Sequence, residues 1–190
     1  LHCFCLLVFV VCYNNTTKTT SVVVKLENNM CERELVLEKG TVKAFAVLDQ
    51  DSQNPWVDYT PFEYKLNSRN FYMASENMPE LDDTDYWFAP IYAYCHGGMT
   101  VSTTPFSCKW DSGILGYVAV KRPSRGGEYK RRTEFYKELT AYVEVLDAYI
   151  KGDCYGLVFE EDGEVIDSVW GFIGDHETSG LLEQATSHFS

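Results

Sequence analysis

Residues 128–151 carry the feature that most constrains how this chain folds, a stripe of apolar side chains at helical spacing. Its members are Phe135, Leu139, Tyr142, Leu146 and Tyr149. Steps of four and three residues place side chains on one face of a helix, so the spacing predicts an amphipathic helix of about six turns. Gly152 follows at a position where a glycine commonly ends a helix. Such a helix is stable mainly when its apolar face is buried, so the rest of the chain has to cover it.

The segment directly after the helix predicts a β-hairpin over about residues 154–170. Asp162-Gly163 separates two β-rich runs, and Asp-Gly is typical of a two-residue type I′ turn in which both residues have positive φ. The side-chain pairs that this turn sets are Phe159 with Ile166 and Tyr155 with Trp170. One face of the hairpin would therefore be aromatic, and we expect that face to pack on the helix stripe.

Shorter β-rich segments precede the helix. Residues 35–48 predict a strand, a turn at Gly40 and a second strand. Residues 86–95 form an aromatic run interrupted by Pro90, which favours an edge strand or a strand that begins at Ile91. We predict an α+β fold with an antiparallel sheet of short strands, one long amphipathic helix at about 128–151 and a C-terminal hairpin at about 154–170. The tail adds a short final helix that is broken at Gly180.

The domain organisation that we predict is a single α+β domain over residues 30–190. Residues 1–29 are interpreted as an N-terminal extension, which is either signal-like or a translation artefact with the native start at Met30. The apolar run from Leu6 to Val11 is too short to span a bilayer, and no positively charged segment leads it. A first strand over Ser21 to Leu26 remains an open alternative.

The charge balance restricts the partners that the chain can bind. The sequence holds 28 acidic and 16 basic residues, a net charge of −12. A strongly negative body repels phosphate backbones and anionic membranes, so we expect no direct nucleic-acid binding and no membrane association. The charges are also segregated, with a net of +5 over residues 121–137 and −11 over residues 138–190. Whether the basic strip itself touches nucleic acid stays open.

The seven cysteines are odd in number and lack compact spacing, so they do not predict a disulfide framework. We interpret most of them as reduced and half-buried, which favours a reducing compartment.

The segment PFSCKWDSGILGY, residues 105–117, is the densest cluster of polar residue types. We interpret it as a structural corner between strands, with Trp110 as an apolar anchor and Asp111 bonded forward to the backbone. The alternative is an enzyme site formed by His96, Cys108, Asp111 and Ser112. Ser112 lacks the glycine two residues before it that a nucleophile elbow requires. We predict no catalytic residue, no metal site and no cofactor, because no ligand pair has zinc spacing.

Two motifs resemble those of a family of small uncharacterised proteins from tailed bacteriophages and related mobile elements. One is F-S-C-x-W-D-S-G, matched by residues 106–113. The other is Y-G followed by D-S-x-W-G-F-x-G, matched by Tyr155-Gly156 and by residues 167–174. The resemblance covers roughly residues 45–175 and departs from the family at Cys95 and Val169. It implies a phage context and the cytoplasm of a bacterial host, and it implies no activity.

Three functions follow in order of preference. The first is a small acidic accessory protein that binds a host protein and inhibits a nucleic-acid-handling or defence system, because acids can occupy a basic groove in place of phosphates. The acids expected at that interface are Asp153, Glu160, Glu161, Asp162, Glu164 and Asp167. The second is an enzyme with a site around His96, Cys108 and Asp111. The third is a secreted protein, if residues 1–12 are a true signal. The oligomeric state is not predicted.

Overall fold

The computed structural model describes residues 24–26, 33–59, 61–67, 72–74, 84–123 and 131–190. The predictions for residues 1–23 and 27–32 lie outside these ranges. The chain divides into two compact units, of which the first combines residues 1–52 with 152–190 and the second is residues 53–151. Each unit contains one five-stranded antiparallel sheet and a helix that packs on it. The α+β fold class is confirmed, and the single domain over 30–190 stays a prediction.

The first unit is a sheet with the strand order β1-β2-β3-β9-β10 and a C-terminal helix. Its elements are β1 (Val24–Leu26), β2 (Arg33–Lys39), β3 (Val42–Leu48), β9 (Cys154–Glu161), β10 (Glu164–Ile173) and α3 (Leu181–His188). Strands β2 and β3 form the predicted hairpin around Gly40, whose φ is 66°. Strand β1 lies inside the segment left open as a first strand. Helix α3 begins directly after Gly180, which has a left-handed φ of 83°.

The core of the first unit corrects the expected packing of the hairpin. Leu157 and Phe159 of β9 are fully buried in one cluster with Leu181 and Ala185 of α3. The ring of His188 also stacks on Phe159 with the centroids 3.8 Å apart. The expectation that the hairpin packs on the long helix stripe was wrong, because the short C-terminal helix covers its apolar face.

The hairpin register also differs from the prediction. Asp162 and Gly163 have φ of 51° and 87°, which confirms the positive φ expected of both turn residues. The observed partners are Phe159 with Asp167 and Tyr155 with Phe172. Register shifts at residues 166 and 171 insert an extra residue of β10 each time, which moves every later pair by one.

The second unit has the strand order β5-β4-β8-β6-β7. Its elements are α1 (Pro55–Tyr59), β4 (Glu63–Asn67), β5 (Tyr72–Ala74), β6 (Tyr86–Cys95), β7 (Met99–Ser102), β8 (Ser112–Lys121) and α2 (Arg132–Lys151). Helix α2 confirms the predicted long helix, and Gly152 after it has a φ of 82°. The predicted start at residue 128 lies outside the described residues.

The α2 stripe forms the core of the second unit. Its buried residues are Phe135, Leu139, Val143 and Leu146. They pack in one cluster with Leu66, Ile91 and Val118 from the three central strands. Tyr142 and Tyr149 lie partly buried at the margin of this cluster, so Val143 takes the central position that the predicted stripe gave to Tyr142.

Strand β6 runs through Pro90 rather than beginning after it. The strand pairs with β8 from Tyr86 to Tyr94 but with β7 only from Tyr92 onward. Pro90 therefore lies in the part of β6 that has a strand on one side only, where a missing backbone N–H breaks no ladder.

A close approach of β4 and β8 yields a stability test. A Cβ added at Gly116 would overlap the backbone carbonyl oxygen of Lys65, and backbone atoms cannot move aside cheaply. We expect Gly116→Ala to lower the free energy of unfolding by about 1–3 kcal/mol through overpacking. Gly113→Ala in the same strand is the matched control, since its methyl group would meet nothing within 4 Å. Equal denaturation midpoints for the two variants in urea would contradict this close approach.

Candidate functional site

The four residues proposed as an alternative enzyme site lie close together at one end of the second sheet. The turn after β6 is closed by a hydrogen bond from the His96 N–H to the Gly98 carbonyl oxygen at 3.0 Å. The Cys95 N–H donates to the Asp111 carbonyl oxygen at 2.8 Å. This bond joins the turn to the loop before β8, which carries Cys108 and Asp111. His96, Cys108, Asp111 and Ser112 are thus neighbours.

The carboxylate of Asp111 lies at the centre of this cluster. Its Oδ2 is 3.3 Å from His96 Nδ1 and accepts from Cys108 Sγ at 3.8 Å. The hydroxyl of Ser112 donates to the backbone carbonyl of Cys108. The Asp111 carboxylate therefore contacts two side chains, those of His96 and Cys108, and the Ser112 hydroxyl is hydrogen-bonded to the backbone.

This order of groups differs from that of a nucleophilic site. A Cys–His or Ser–His pair needs the imidazole against the nucleophile, with the carboxylate on the far side of the ring. Here the carboxylate stands between the thiol and the imidazole, and the His96 side chain is 73% exposed. The geometry is that of a hydrogen-bonded corner, but the carboxylate of Asp111 contacts the side chains of Cys108 and His96 rather than the backbone ahead of it as predicted.

The sequence misassigned Trp110, which was expected to anchor this corner by burial. Its side chain is 96% exposed, although the neighbouring Cys108 and Asp111 are half-buried. A hydrogen-bonded corner thus holds a large indole ring out in solvent, and nothing in the local sequence signals this.

The six acids predicted at a partner interface all lie in the first unit, but they differ in their exposure and in the side chains that they contact. Glu160 forms an ion pair with Arg33 at 2.6 Å, and its side chain is only 17% exposed. Asp167 Oδ2 lies 3.8 Å from His188 Nδ1. Glu161, Asp162 and Glu164 are exposed around the hairpin turn. These three residues form what we call the acidic tip.

Asp153 belongs to a different part of the surface. It precedes β9, eight residues before Glu161, which corresponds to roughly 26 Å along an extended strand. It lines an open depression of about 430 Å³ with Glu34, Tyr155 and His176 among its neighbours. Asp175, also at its rim, accepts hydrogen bonds from the N–H groups of Glu177 and Thr178. Among the described residues, no group of three or more His, Cys, Asp or Glu side chains has an arrangement that could hold a metal ion.

Strand β10 exposes apolar side chains beside the acidic tip. Val165, Ile166 and Trp170 are 62%, 49% and 53% exposed, and β10 is the last strand in the order of its sheet. Val165 is opposite Glu160, and Trp170 is opposite Gly156, so both lie on the same face of the hairpin. Gly156 is required here because a Cβ would overlap the Trp170 ring. Sequence reasoning placed the acids but missed this apolar companion surface.

No protein-family model, curated protein or solved structure matches the chain. The resemblance to phage proteins therefore stays a prediction. Of the described helices, none combines the length and the apolar character needed to cross a lipid bilayer.

Cys154 is a buried thiol at the start of β9. Burial raises the pKa of its thiol, and the nearby carboxylates of Asp49 and Asp153 raise it further, against a hydrogen bond with Ser52 that lowers it. A raised pKa means that less thiolate is present at a given pH, and the thiolate is the reactive form.

Thiol labelling separates the structural corner from an enzyme site. We expect Cys95, which is exposed, to react with iodoacetamide first, the half-buried Cys108 more slowly and the buried Cys154 last. Labelling of Cys154 should rise with pH through its raised pKa. Peptide mapping by mass spectrometry gives the three rates. A Cys108 that reacts faster than Cys95 at neutral pH would favour the enzyme hypothesis over the corner.

Proposed function

We propose that this chain is an accessory protein that works by binding a host protein through the β9–β10 hairpin. The observation that carries the proposal is the mixed surface of that hairpin, where Val165 and Ile166 follow the acidic tip directly and Trp170 lies farther along β10, all three exposed. Interfaces commonly combine apolar anchors, with tryptophan prominent among them, and a charged rim that steers the encounter.

The chemistry of this surface defines the partner. Glu161, Asp162 and Glu164 follow each other around a two-residue turn, so their charges project from one end of the hairpin. A complementary partner presents lysine or arginine side chains beside an apolar pocket. Surfaces that bind phosphate backbones are rich in lysine and arginine. Acids on a firm turn could occupy such a surface in place of phosphates.

Inhibition of a nucleic-acid-handling or defence system is the specific form that we favour. The resemblance to phage proteins supports a bacterial cytoplasm as the setting, because such accessory proteins act inside the infected cell. Glu160 and Asp167 are part of the hairpin but face Arg33 and His188. We therefore assign the contacts to the acidic tip and leave the internal ion pair to stabilise the sheet.

The proposal is tested by removing the charges of the tip. The variant Glu161→Gln, Asp162→Asn, Glu164→Gln should lose a stoichiometric partner that the full chain captures from nuclease-treated bacterial lysate. Asn tolerates the positive φ of Asp162, so the turn should persist. Interfacial charge pairs contribute about 1.5 kcal/mol or more, so we expect the dissociation constant for the captured partner to rise at least about tenfold.

The matched control removes three exposed charges elsewhere, with Glu144, Glu177 and Glu183 replaced by Gln. This variant should keep the partner, because its net charge changes by the same amount and only the position differs. Competition of the captured partner by duplex DNA would support occupation of a phosphate-binding groove. Equal capture by both triple variants would overturn the assignment to the hairpin.

A further inference from the structure

The outward side of the second sheet carries a row of aromatic rings. Along β6 the side chains of Ala89, Ile91 and Ala93 belong to the buried core beneath α2. Successive strand residues point to opposite faces, so the alternate residues of β6 point away from the helix. The outward side chains are Tyr86, Phe88, Pro90, Tyr92 and Tyr94.

The neighbouring strand β8 extends this surface. Tyr117 is opposite Pro90 and Ile114 is opposite Tyr92, and residues opposite each other share a face. Tyr117 is 48% exposed and Ile114 is 54% exposed. We call the surface formed by Tyr86, Phe88, Tyr92, Tyr94, Ile114 and Tyr117 the aromatic face.

The row of rings continues past the end of β6. The His96 ring stacks against Tyr94 with the centroids 6.2 Å apart and the planes at 22°. Phe106 also contacts Tyr94, with the centroids 5.8 Å apart. Trp110 stands almost fully in solvent on the loop that the Cys95–Asp111 backbone bond ties to this end of the sheet. Partly buried rings thus line β6, and the exposed rings of Trp110 and Tyr117 lie on the loop before β8 and on β8.

The outward side of the sheet carries two lysines and one glutamate on β4 and β8. Lys121 is opposite Tyr86, and Lys65 is opposite Tyr117. The outward side chains of β6 and β8 include no acid, and Glu63 on β4 is the acid that shares the face. Two ammonium groups thus lie beside the half-buried ring of Tyr86 and the exposed ring of Tyr117 in a chain whose net charge is −12.

We propose that the aromatic face binds single-stranded nucleic acid, with bases stacked on its rings and phosphates near Lys65 and Lys121. A sheet with helices on one side and exposed aromatic rings on the other is a known means of holding unpaired bases, and each stacked base contributes about 1–3 kcal/mol. A duplex fits poorly because its bases are already stacked. This binding goes beyond the proposed protein partner and uses residues of the other unit.

Fluorescence anisotropy with the full chain tests this inference. The probes are fluorescein-labelled oligothymidylate and oligouridylate long enough to cover the ~4–16 nucleotides of a typical single-strand site, and the same DNA sequence as a duplex. We expect a dissociation constant of about 1–100 µM for the single strands and weaker binding of the duplex. Comparison of the two single strands shows whether DNA or RNA is preferred.

Variants identify the surface that binds. Tyr117→Ala should weaken single-strand binding at least about fivefold, the loss expected for one stacked base. Its ring is 48% exposed, so the fold should survive, and circular dichroism checks this. Val145→Ala is the control, because Val145 is an exposed apolar residue of α2 away from the aromatic face and should leave the affinity unchanged.

Salt dependence distinguishes stacking from simple attraction of a polyanion. Two lysines predict a slope of about −1.4 for log K against log salt with single strands. Lys65→Gln with Lys121→Gln should flatten that slope. A much steeper slope with full affinity in Tyr117→Ala would assign the binding to other basic residues and overturn the inference. It would equally be overturned by anisotropy that shows no saturation at about 100 µM protein, or by a dimer that Tyr117→Ala dissociates, since a second copy would then occupy the face.

Discussion

Burial of the α2 stripe against the second sheet is the constraint on which the rest of that unit depends. Phe135, Leu139, Val143 and Leu146 are almost completely removed from water, at about 1.5–3 kcal/mol for each large apolar side chain. One face of the sheet is covered by the helix. Because successive side chains of a strand point to opposite faces, every second side chain then points away from the helix. The core thus dictates where Tyr92 points, but it does not require that the residue be aromatic. Valine or threonine would meet the strand propensity as well, so the core and the strand propensity leave the choice of aromatic residues on this face open.

The elements that the sequence predicts correctly are those whose conformation depends on residues close to one another in the sequence. The helical spacing of residues 135–149, the glycine after the helix and the Asp-Gly turn each act over a few residues, and local sterics decide them. The corner at 105–117 is also formed mostly by local contacts, although its role as a structural corner rather than a site stays a prediction. Its hub, Asp111, bonds to residues that are close in sequence or joined by a single strand pair, and the residue types alone indicated a turn.

What the sequence could not supply depends on contacts between distant residues. The β9–β10 register follows two bulges, and one of them sets Trp170 over Gly156, a pairing that turn chemistry alone does not indicate. The choice of α3 over α2 as the cover of the hairpin depends on which apolar surfaces compete for it. The arrangement of side chains in the candidate enzyme site could not be predicted either. The sequence suggested His96 and Cys108 as neighbours, but it did not show that the Asp111 carboxylate contacts both of them. Likewise, the ion pair of Glu160 with Arg33 joins residues 127 positions apart.

Net charge is a property of the whole chain, so it describes the surroundings of any one surface only in part. A total of −12 is a sum over the whole chain, whereas at physiological salt exposed charges act over about 8–10 Å. A ligand on the aromatic face would therefore sense mainly the charged side chains of that sheet, which include Lys65, Lys121 and Glu63. The sequence argument against nucleic acid holds for a uniformly acidic body. The prediction of no direct nucleic-acid binding stays untested, and the stacking proposed for the aromatic face is the result that would contradict it.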